Sequence, residues 1–441
     1  MGFKTLGRYS LVNSNGLAKI QSIILIAIIG IASIAVGVIY ANLNGDAENG
    51  ETIKIGLISD LDNSGENPTL RGAILAVEEI NSEGGILGKQ IELIAEDSDY
   101  GSTSFDLSTV SNALNRLLHY DKVDFVIGGS TYEDNLVIQD TMAEQKKIFI
   151  SVMAPGDALT ERVQNDYEKL KYFFKVAPPN STALEFGYTD SFVALREYTG
   201  FNKIAYIAMD LSVFEPAIQR VESLVDLYDF EIVYGNRFLP GTFDFSSYFA
   251  AAEAAGAEII APMVYGPESI SFVKEWFDRR SPTVLWGSDL SGSYPIHWEN
   301  TDGKCAHETT PVVATVLGYP ITTKTIPMIE DYKERWNEEP DLMATSAYEA
   351  IRFILFDALK RAGTFETEAV IKALEEVDIE TPTAPHFVFT SSHDVMYGTG
   401  YNEQYFFQWQ PDGTRVPMYP RELKEAAGVT YTYPDWEGPW S

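Results

Sequence analysis

The chain has 441 residues, of which 45% are apolar and 12% aromatic, so it is long enough for two or three packed domains. It carries 64 acidic and 32 basic residues, and its formal charge of −32 argues against nucleic-acid binding because it repels phosphate backbones. The single cysteine, Cys305, excludes an intrachain disulfide, so the fold depends on its hydrophobic cores.

A hydrophobic segment over residues 20–41 follows a basic stretch, residues 1–19, that contains no acidic residue. As a helix, the part from Ile20 to Tyr40 would be ~31 Å long, the thickness of a bilayer core. The positive-inside rule places the chain after this segment outside the cell. Since no cysteine lies near it, a lipoprotein anchor is excluded. We therefore predict a transmembrane anchor or signal segment, followed by a polar linker over residues 42–51.

From Thr52 onward, short β-branched runs alternate with segments whose apolar residues recur at helical spacing. Asn67 and Pro68 are typical of a helix start, and Gly84 and Gly85 of a helix end. The elements predicted in this first series are TIKIGLISDL, NPTLRGAILAVEEINSEGG, KQIELIAEDSD, FDLSTVSNALNRLLHYD, VDFVIGGS, EDNLVIQDTMAEQKK and IFISVMAP.

A second series of alternating elements begins near Asn202. It comprises KIAYIAMD, EPAIQRVESLVDLYD, FEIVYGNRFL, FDFSSYFAAAEAAG, AEIIAPMVYG, SISFVKEWFDR and TVLWGSD. Strands that alternate with helices of this length indicate parallel sheets covered on both faces. We therefore predict an α/β fold of two doubly wound lobes. Such sheets bind ligands beyond the carboxyl ends of their strands, where two lobes would enclose a cleft.

Sequence features of enzymes and metal sites are absent or incomplete. The histidines have no metal-ligand spacing, and the fragment Cys305-Ala-His307 offers only two ligands. No nucleophile elbow, phosphate-binding loop or dinucleotide fingerprint occurs. We therefore predict a protein that is not an enzyme and that holds no metal and no cofactor. The five histidines are His119, His297, His307, His386 and His393.

The order of these elements resembles the type I periplasmic binding proteins, and among them the leucine/isoleucine/valine-binding proteins of ABC importers. The resemblance covers about Thr52 to Trp440 and rests on collinear stretches along that length. These are RGAILAVEEINSEGGILGKQIELIAEDSD, FVIGGST, ERWNEEPDLMATSAYEAIRFILFDALKRAG and HDVMYGTGYNEQYFFQWQPDGTRVPMYP. The closing YPDWEGPW is similar to the tails of archaeal members, and Gly16 to Ser22 resembles the pilin-like signals of archaeal secreted binding proteins.

In this family the chain crosses between the two lobes three times, and the resemblance places the crossings near Pro178, Gly318 and Pro385. The two lobes expected from these crossings are residues 52–178 with 318–385, and residues 179–317 with 386–441. Each lobe would then combine two segments that are distant in sequence.

The resemblance also implies a ligand site at the strand-to-helix turn in FVIGGSTYEDN. In relatives that bind amino acids, the ligand carboxylate meets N–H groups and hydroxyls at positions that correspond to Ser130, Thr131 and Tyr132. The start of a helix offers unpaired N–H donors and a partial positive charge, so it can hold a carboxylate without a lysine. The alternative is that Ser130 or Thr131 only caps the helix.

The loop after the next strand departs from the family's pattern. Amino-acid binders usually have a threonine whose hydroxyl and amide complete the carboxylate site, whereas Pro155 stands about there in this chain. Proline offers neither group. Met153 and Ala154 are still expected to line the site, and the Ala154 amide or Ser151 would compensate for the proline. Otherwise the ligand lacks an α-carboxylate, as in the amide- and urea-binding branch of the family.

The second lobe is expected to supply the other side of the site. Asp289 matches the family's acidic residue that pairs with the ligand's ammonium group. Tyr265 matches a tyrosine that closes over the ligand, and Phe214 matches an aromatic position. A carboxylate beside aromatic rings suits a zwitterion with an uncharged side chain. The alternatives are a turn residue for Asp289 and ordinary packing for the two aromatic residues.

We therefore expect an extracellular, membrane-associated solute-binding protein of an ABC importer, which captures a branched-chain or other neutral amino acid by closing its two lobes. Its partners would be the small-molecule ligand, the ABC permease complex and, through the N-terminal helix, the membrane. The alternatives are an amide- or urea-binding protein of the same family and a ligand-sensing receptor ectodomain.

Overall fold

The structure is a computed structural model with two parallel-sheet lobes and a smaller third sheet. It describes the following residues: 38–40, 52–61, 67–99, 106–154, 156–177, 181–211, 214–312 and 318–441. Within these ranges the predicted α/β fold of two doubly wound lobes is confirmed.

The first lobe is built on a six-stranded sheet. Its strands are β1 (Val38–Tyr40), β2 (Ile53–Ser59), β3 (Ile91–Asp97), β4 (Phe125–Gly128), β5 (Phe149–Ser151) and β6 (Phe173–Lys175). They lie in the order β1-β3-β2-β4-β5-β6, and all neighbours are parallel except β1, which pairs antiparallel with β3. Because helices cover both faces, strands such as β4 are apolar and buried throughout.

The second lobe has a parallel sheet and an antiparallel extension. The strands are β7 (Lys203–Met209), β8 (Glu231–Phe238), β9 (Ile259–Val264), β10 (Val284–Leu285), β11 (Ser288–Asp289), β12 (Thr309–Val312), β13 (Tyr405–Trp409) and β14 (Arg415–Tyr419). The parallel sheet runs β10-β9-β7-β8 with β11 also paired to β9. Strands β12, β13 and β14 form the third sheet, which the alternating pattern did not predict because β12 is far in sequence from β13 and β14.

The α-helices lie between and after these strands. They are α1 (Pro68–Ser82), α2 (Leu107–Asn115), α3 (Tyr132–Gln145), α4 (Ala158–Asn165), α5 (Tyr167–Leu170), α6 (Ser181–Thr199), α7 (Glu215–Tyr228), α8 (Ser246–Ala254), α9 (Pro267–Arg279), α10 (His297–Asn300), α11 (Thr325–Trp336), α12 (Leu342–Glu349), α13 (Phe356–Ala362), α14 (Thr367–Glu375) and α15 (Arg421–Ala427). Helix α1 begins as predicted, since Asn67 accepts hydrogen bonds from the N–H groups of Thr69 and Leu70 and Pro68 follows it.

Helices α1 and α12 of the first lobe cross at Gly72. A Cβ atom added to this glycine would lie only 2.0 Å from the carbonyl oxygen of Ala344, which is closer than any side chain allows. The helices can approach this closely only because Gly72 has no side chain. This contact joins the N-terminal and C-terminal segments of the first lobe.

The hydrophobic core of the first lobe includes three residues that were predicted to lie in the second lobe, Phe387, Phe389 and Val395. The core of the second lobe continues only at Phe406. The core residues therefore place the third crossing after Val395 rather than near Pro385. Hairpin-like pairing, in which the Phe387 N–H donates to the Ile379 carbonyl, keeps this stretch on the first lobe. Pro178 lies outside the described residues, so the first crossing stays a prediction.

The predicted N-terminal membrane segment lies mostly outside the described residues, which begin at Val38. Residues 38–40 form β1 and pair with β3, whereas the sequence placed them in the hydrophobic helix. None of the helices in the described ranges is both long enough and apolar enough to cross a membrane.

We expect the substitution Gly72→Ala to destabilise the protein by more than about 2 kcal/mol, because the added methyl group forces α1 and α12 apart. Denaturation with guanidinium chloride would measure the loss. Gly363→Ala is the matched control: its φ of 64° strains an alanine, but no atom lies within 4 Å of the new methyl group. The control should lose only about 1 kcal/mol. Equal losses for the two variants would contradict the close-packing argument.

Candidate functional site

The predicted site residues lie where strands end. Ser130 follows β4 and Met153 follows β5, and these two strands are parallel neighbours in the first sheet. In the second lobe Tyr265 follows β9, and Asp289 ends β11, the parallel neighbour of β9. The carboxyl ends of parallel strands meet at one edge of a sheet, so the residues of each lobe lie at the edge where such folds bind ligands.

The N–H groups of Ser130 and Thr131 already have an acceptor within the chain. Both oxygens of Asp134 accept from them, with Oδ2 at 2.8 Å from the Ser130 nitrogen and Oδ1 at 2.8 Å from the Thr131 nitrogen. Asp134 is fully buried, and its burial raises the pKa of the carboxyl group, although the two N–H donors oppose that shift. The anion position predicted for a ligand carboxylate is therefore filled by a side chain of the protein.

Thr131 acts as the helix cap. Its hydroxyl accepts a hydrogen bond from the Asp134 N–H at 3.2 Å and completes a capping box at the start of α3. The Ser130 and Thr131 amides therefore have an acceptor within the chain, whereas the O–H of Thr131 is still able to donate, and the contact of these residues with a ligand carboxylate stays a prediction. Ser130 and Tyr132 themselves remain half-buried at the edge of the sheet.

The turn before α3 is held in place from the neighbouring loop. The side-chain amide of Asn135 donates to the backbone carbonyl of Met153 at 2.8 Å. Gly129 has a φ of 84°, and a Cβ there would lie 2.4 Å from Asn135 Oδ1, so the turn requires a glycine. This arrangement fixes the two loops of the first lobe against each other.

The loop after β5 supplies fewer donors than expected. The Ala154 N–H donates to the Ala177 carbonyl at 3.0 Å, and Ala154 is buried, so its amide cannot compensate for Pro155. Ser151 is also fully buried, and its hydroxyl has no hydrogen-bond partner. Met153 is half-buried, and Pro155 lies outside the described residues. The place of Met153 and Ala154 in the ligand site therefore stays a prediction.

Asp289 does not face the space between the lobes. It is fully buried, its Oδ2 accepts from the Ser269 hydroxyl at 2.5 Å, and its Oδ1 accepts from the Ser291 N–H at 2.9 Å. This geometry does not favour the ion pair with a ligand ammonium group, which stays a prediction. Asp289 instead organises the turn that follows β11, which is the alternative that the sequence left open.

Asp289 belongs to a buried polar cluster with His297, Cys305 and Glu308. The Nε2 atom of His297 lies 3.0 Å from Glu308 Oε2 and 3.9 Å from Asp289 Oδ2. Burial, together with the neighbouring Asp289, raises the pKa of Glu308 to about 8. The sequence indicated only the fragment Cys305-Ala-His307. His307 points elsewhere, with its Nδ1 3.0 Å from the Thr432 hydroxyl.

The two aromatic residues predicted in the second lobe differ in exposure. Phe214 is 2% exposed and belongs to the hydrophobic core, so the packing alternative holds for it. Tyr265 is 48% exposed, and its ring centroid lies 6.4 Å from that of Phe214. Only Tyr265 is therefore available to contact a ligand directly.

Exposed apolar residues follow two further strands of the second lobe. Leu239 follows β8 and is 69% exposed, and Leu290 follows β11 and is 36% exposed. The loop after Leu239 is tied to the start of α9, because the Gly241 N–H donates to Glu268 at 2.7 Å. Sequence reasoning missed both leucines, although each directly follows the end of a strand. With Tyr265 they give this edge an apolar character.

An ion pair links the two lobes. Arg415 in β14 of the second lobe lies 3.1 Å from Glu339 of the first lobe, and it also donates to the Ser293 carbonyl at 2.8 Å. The preceding residue, Glu338, pairs with Arg71 within the first lobe at 2.5 Å. The segment before α12 therefore contacts both lobes through two adjacent acidic side chains.

The chain belongs to the periplasmic binding protein family, whose model matches residues 52–414. It is 24% identical over 363 residues to the Leu/Ile/Val-binding protein homolog 7 of Brucella abortus. The alignment covers 79% of this chain and 86% of the relative. Homolog 8 of the same organism is 23% identical over 371 residues, covering 79% of this chain and 85% of the relative. The family consists of solute-binding proteins of ABC transporters, so the chain is a binding protein and not an enzyme.

Solved structures of binding proteins share the fold. The branched-chain amino acid transporter substrate-binding protein of Streptococcus pneumoniae, in complex with isoleucine, has a TM-score of 0.65 at 22% identity and covers 83% of this chain and 98% of its own. A periplasmic ligand-binding protein of Burkholderia xenovorans has a TM-score of 0.67 at 15% identity. The superposition covers 85% of this chain and 99% of that protein. A solute-binding protein of R. palustris in complex with benzoate has a TM-score of 0.64 at 15% identity. The superposition covers 83% of this chain and 95% of that protein.

The exposure of the two aromatic residues predicts opposite effects of truncation. Phe214→Ala should lower the free energy of unfolding by about 3–5 kcal/mol, because it leaves a cavity in the second lobe. Tyr265→Ala should change it by less than about 1 kcal/mol, because half of the side chain is already in water. Denaturation of both variants with guanidinium chloride checks this difference. A larger loss for Tyr265→Ala than for Phe214→Ala would contradict the assignment.

Proposed function

We propose that the protein captures a small solute between its two lobes outside the cell and delivers it to an ABC permease. The observation that carries the proposal is the position of Tyr132 and Tyr265, one in each lobe, at the carboxyl edges of parallel sheets. Ligands of such sheets bind at that edge. Membership of the periplasmic binding protein family supports the same function.

Lobe closure supplies the mechanism. A solute that contacts both lobes binds the closed form more tightly than the open form, and this difference in affinity shifts the population toward closure. The permease then distinguishes the loaded protein by its closed form. The pair Arg415–Glu339 is an existing contact across the lobes, so closure involves rotation about a region that is already joined.

The chemistry of the first lobe favours a ligand without an α-carboxylate. Asp134 already accepts from the Ser130 and Thr131 amides, the Ala154 amide is used within the sheet, and Pro155 has no donor. A ligand carboxylate at this turn would also lie beside the Asp134 carboxylate, and like charges in a partly buried site repel. We therefore infer a small neutral solute of the amide or urea class, with an apolar part against Tyr265 and the leucines of the second lobe.

A neutral amino acid is the second candidate. The Brucella relatives are named Leu/Ile/Val-binding proteins, and one structural neighbour was solved with isoleucine. Both that ligand and the benzoate of another neighbour carry a carboxylate group. For this chain to bind such a ligand, another donor would have to replace the amides that Asp134 uses. The receptor-ectodomain alternative stays a prediction.

Attachment to the membrane also belongs to the proposal. The hydrophobic residues 20–37 precede β1 and would extend ~27 Å as a helix, close to the thickness of a bilayer core. The basic residues before them support an outward-facing binding protein held at the cell surface.

A ligand screen tests the proposed function. The thermal midpoint of residues 38–441 would be followed with acetamide, propionamide, urea, leucine, isoleucine, valine and benzoate. At a hundred times its dissociation constant, a ligand should stabilise the protein by ~2.7 kcal/mol. We expect the neutral amides or urea to raise the midpoint, and Tyr265→Ala to remove the rise. A rise with the amino acids alone would contradict the neutral-ligand proposal. No response to any small solute would contradict solute capture.

The variant Asp134→Ala tests whether Asp134 excludes carboxylate ligands. Removing its side chain frees the Ser130 and Thr131 amides, so leucine or benzoate should bind at least tenfold more tightly than to the unmodified protein. Isothermal titration calorimetry measures the change.

Asp106→Ala is the matched control, because Asp106 caps α2 through the Ser108 N–H at 2.8 Å and lies outside the site. Asp106→Ala should lose about 1 kcal/mol of stability through the missing cap. Asp134→Ala should lose about 1–3 kcal/mol because it leaves the Ser130 and Thr131 N–H groups without their acceptor. A gain in carboxylate affinity in the control, or none in Asp134→Ala, would contradict the role given to Asp134.

A further inference from the structure

The buried polar cluster of the second lobe contains residue types that bind metal ions. His297, Cys305 and Glu308 each present one ligand atom, and these three atoms lie within 4.8 Å of one another. All three side chains are buried, with exposures of 1% or less. Imidazole, thiolate and carboxylate are the three groups with which proteins bind zinc.

The spacing of the side chains suits a tetrahedral ion. Bonds of about 2.0 Å to nitrogen and oxygen place neighbouring ligand atoms roughly 3.3 Å apart. The His297 Nε2 atom lies 3.0 Å from Glu308 Oε2 and 3.9 Å from Asp289 Oδ2, which brackets that separation. Asp289 would be the fourth ligand, and the Ser269 hydroxyl, which donates to it, would hold it in orientation.

A second observation points to a cation. The Oε1 atom of Glu308 is fully buried and accepts no hydrogen bond from a donor group of the described residues, and the Glu308 carboxyl group lies against that of Asp289. The two buried carboxyl groups of Glu308 and Asp289 also lie within 3.9 Å of the Nε2 atom of His297. A buried polar atom without a partner is unfavourable by about 1–3 kcal/mol, and a buried charge by more. A divalent ion would satisfy the free carboxylate oxygen and balance the charge.

We propose that His297, Cys305, Glu308 and Asp289 bind a divalent transition-metal ion, with Zn²⁺ foremost. The thiolate and imidazole select such an ion over Mg²⁺ or Ca²⁺, which prefer oxygen ligands. Four protein ligands leave no open position, which is the arrangement of structural rather than catalytic sites. The proposal is independent of the identity of the transported solute.

The ion would stabilise the turn after β11. Its ligands come from the end of β11, from α10 and from the segment that leads into β12, so one ion would join three successive elements. Asp289 also accepts from the N–H groups of Ser291 and Gly292. The carbonyl of Ser293 in the same turn accepts from Arg415, which pairs with the first lobe. Metal binding would therefore stiffen the side of the second lobe that meets the first.

Cobalt spectroscopy of the full chain gives the most direct test. The purified protein would be treated with EDTA and titrated with Co²⁺, which replaces Zn²⁺ and absorbs in the near ultraviolet when a thiolate binds it. Cys305 is the only cysteine, so this band reports on one site. We expect the band to saturate at one equivalent of Co²⁺, to disappear on addition of Zn²⁺, and the thermal midpoint to rise with either ion.

Variants identify the ligands. Cys305→Ser and Glu308→Gln should lower the affinity for Zn²⁺ at least tenfold in competition with a chromophoric chelator. His307→Gln should leave it unchanged, because His307 is near in sequence but bonded to Thr432. The unmodified protein settles the outcome even if a variant fails to fold. An intact thiol with no Co²⁺ band, and a midpoint that neither Zn²⁺ nor EDTA changes, would overturn the proposal and leave a proton-sharing cluster.

Discussion

The N–H groups at the start of α3 need an acceptor, and the identity of that acceptor decides what the first lobe can bind. The chain supplies its own acceptor in Asp134, whose carboxylate accepts hydrogen bonds from the N–H groups of Ser130 and Thr131. An internal anion stabilises the helix start and fixes the turn, and it also places negative charge where a ligand carboxylate would lie. An acidic protein can in this way bind a neutral solute at a position that otherwise favours anions.

Most of the fold could be predicted from the sequence because two strong patterns determine it. Apolar β-branched runs alternate with helical segments, and burial on both faces leaves parallel sheets as the stable arrangement. Long-range features could not be predicted in the same way. The third sheet pairs β12 with β13, although Val312 and Tyr405 are far apart in sequence, and Phe387 to Val395 stay on the first lobe through packing that no local pattern records.

The positions of the candidate site residues could be predicted, but not the directions of their side chains. Ser130, Met153, Tyr265 and Asp289 all lie at strand ends, as expected. Whether such a residue faces the cleft depends on its partners. Asp289 turns inward because Ser269 and the amides after β11 satisfy it, whereas Tyr265 has no such partner and is half exposed. Glu308 was not predicted as a site residue, because its neighbours His297 and Asp289 come close to it only in the folded chain.

We propose that this protein carries a neutral solute rather than a carboxylate. The most direct measurement is to purify the protein from the cells that make it, denature it, and identify the released small molecule by mass spectrometry. The account predicts an uncharged amide-type compound in about one copy per chain. Release of leucine, isoleucine, valine or another carboxylate-bearing molecule at that ratio would contradict it, and would mean that a ligand carboxylate binds despite Asp134.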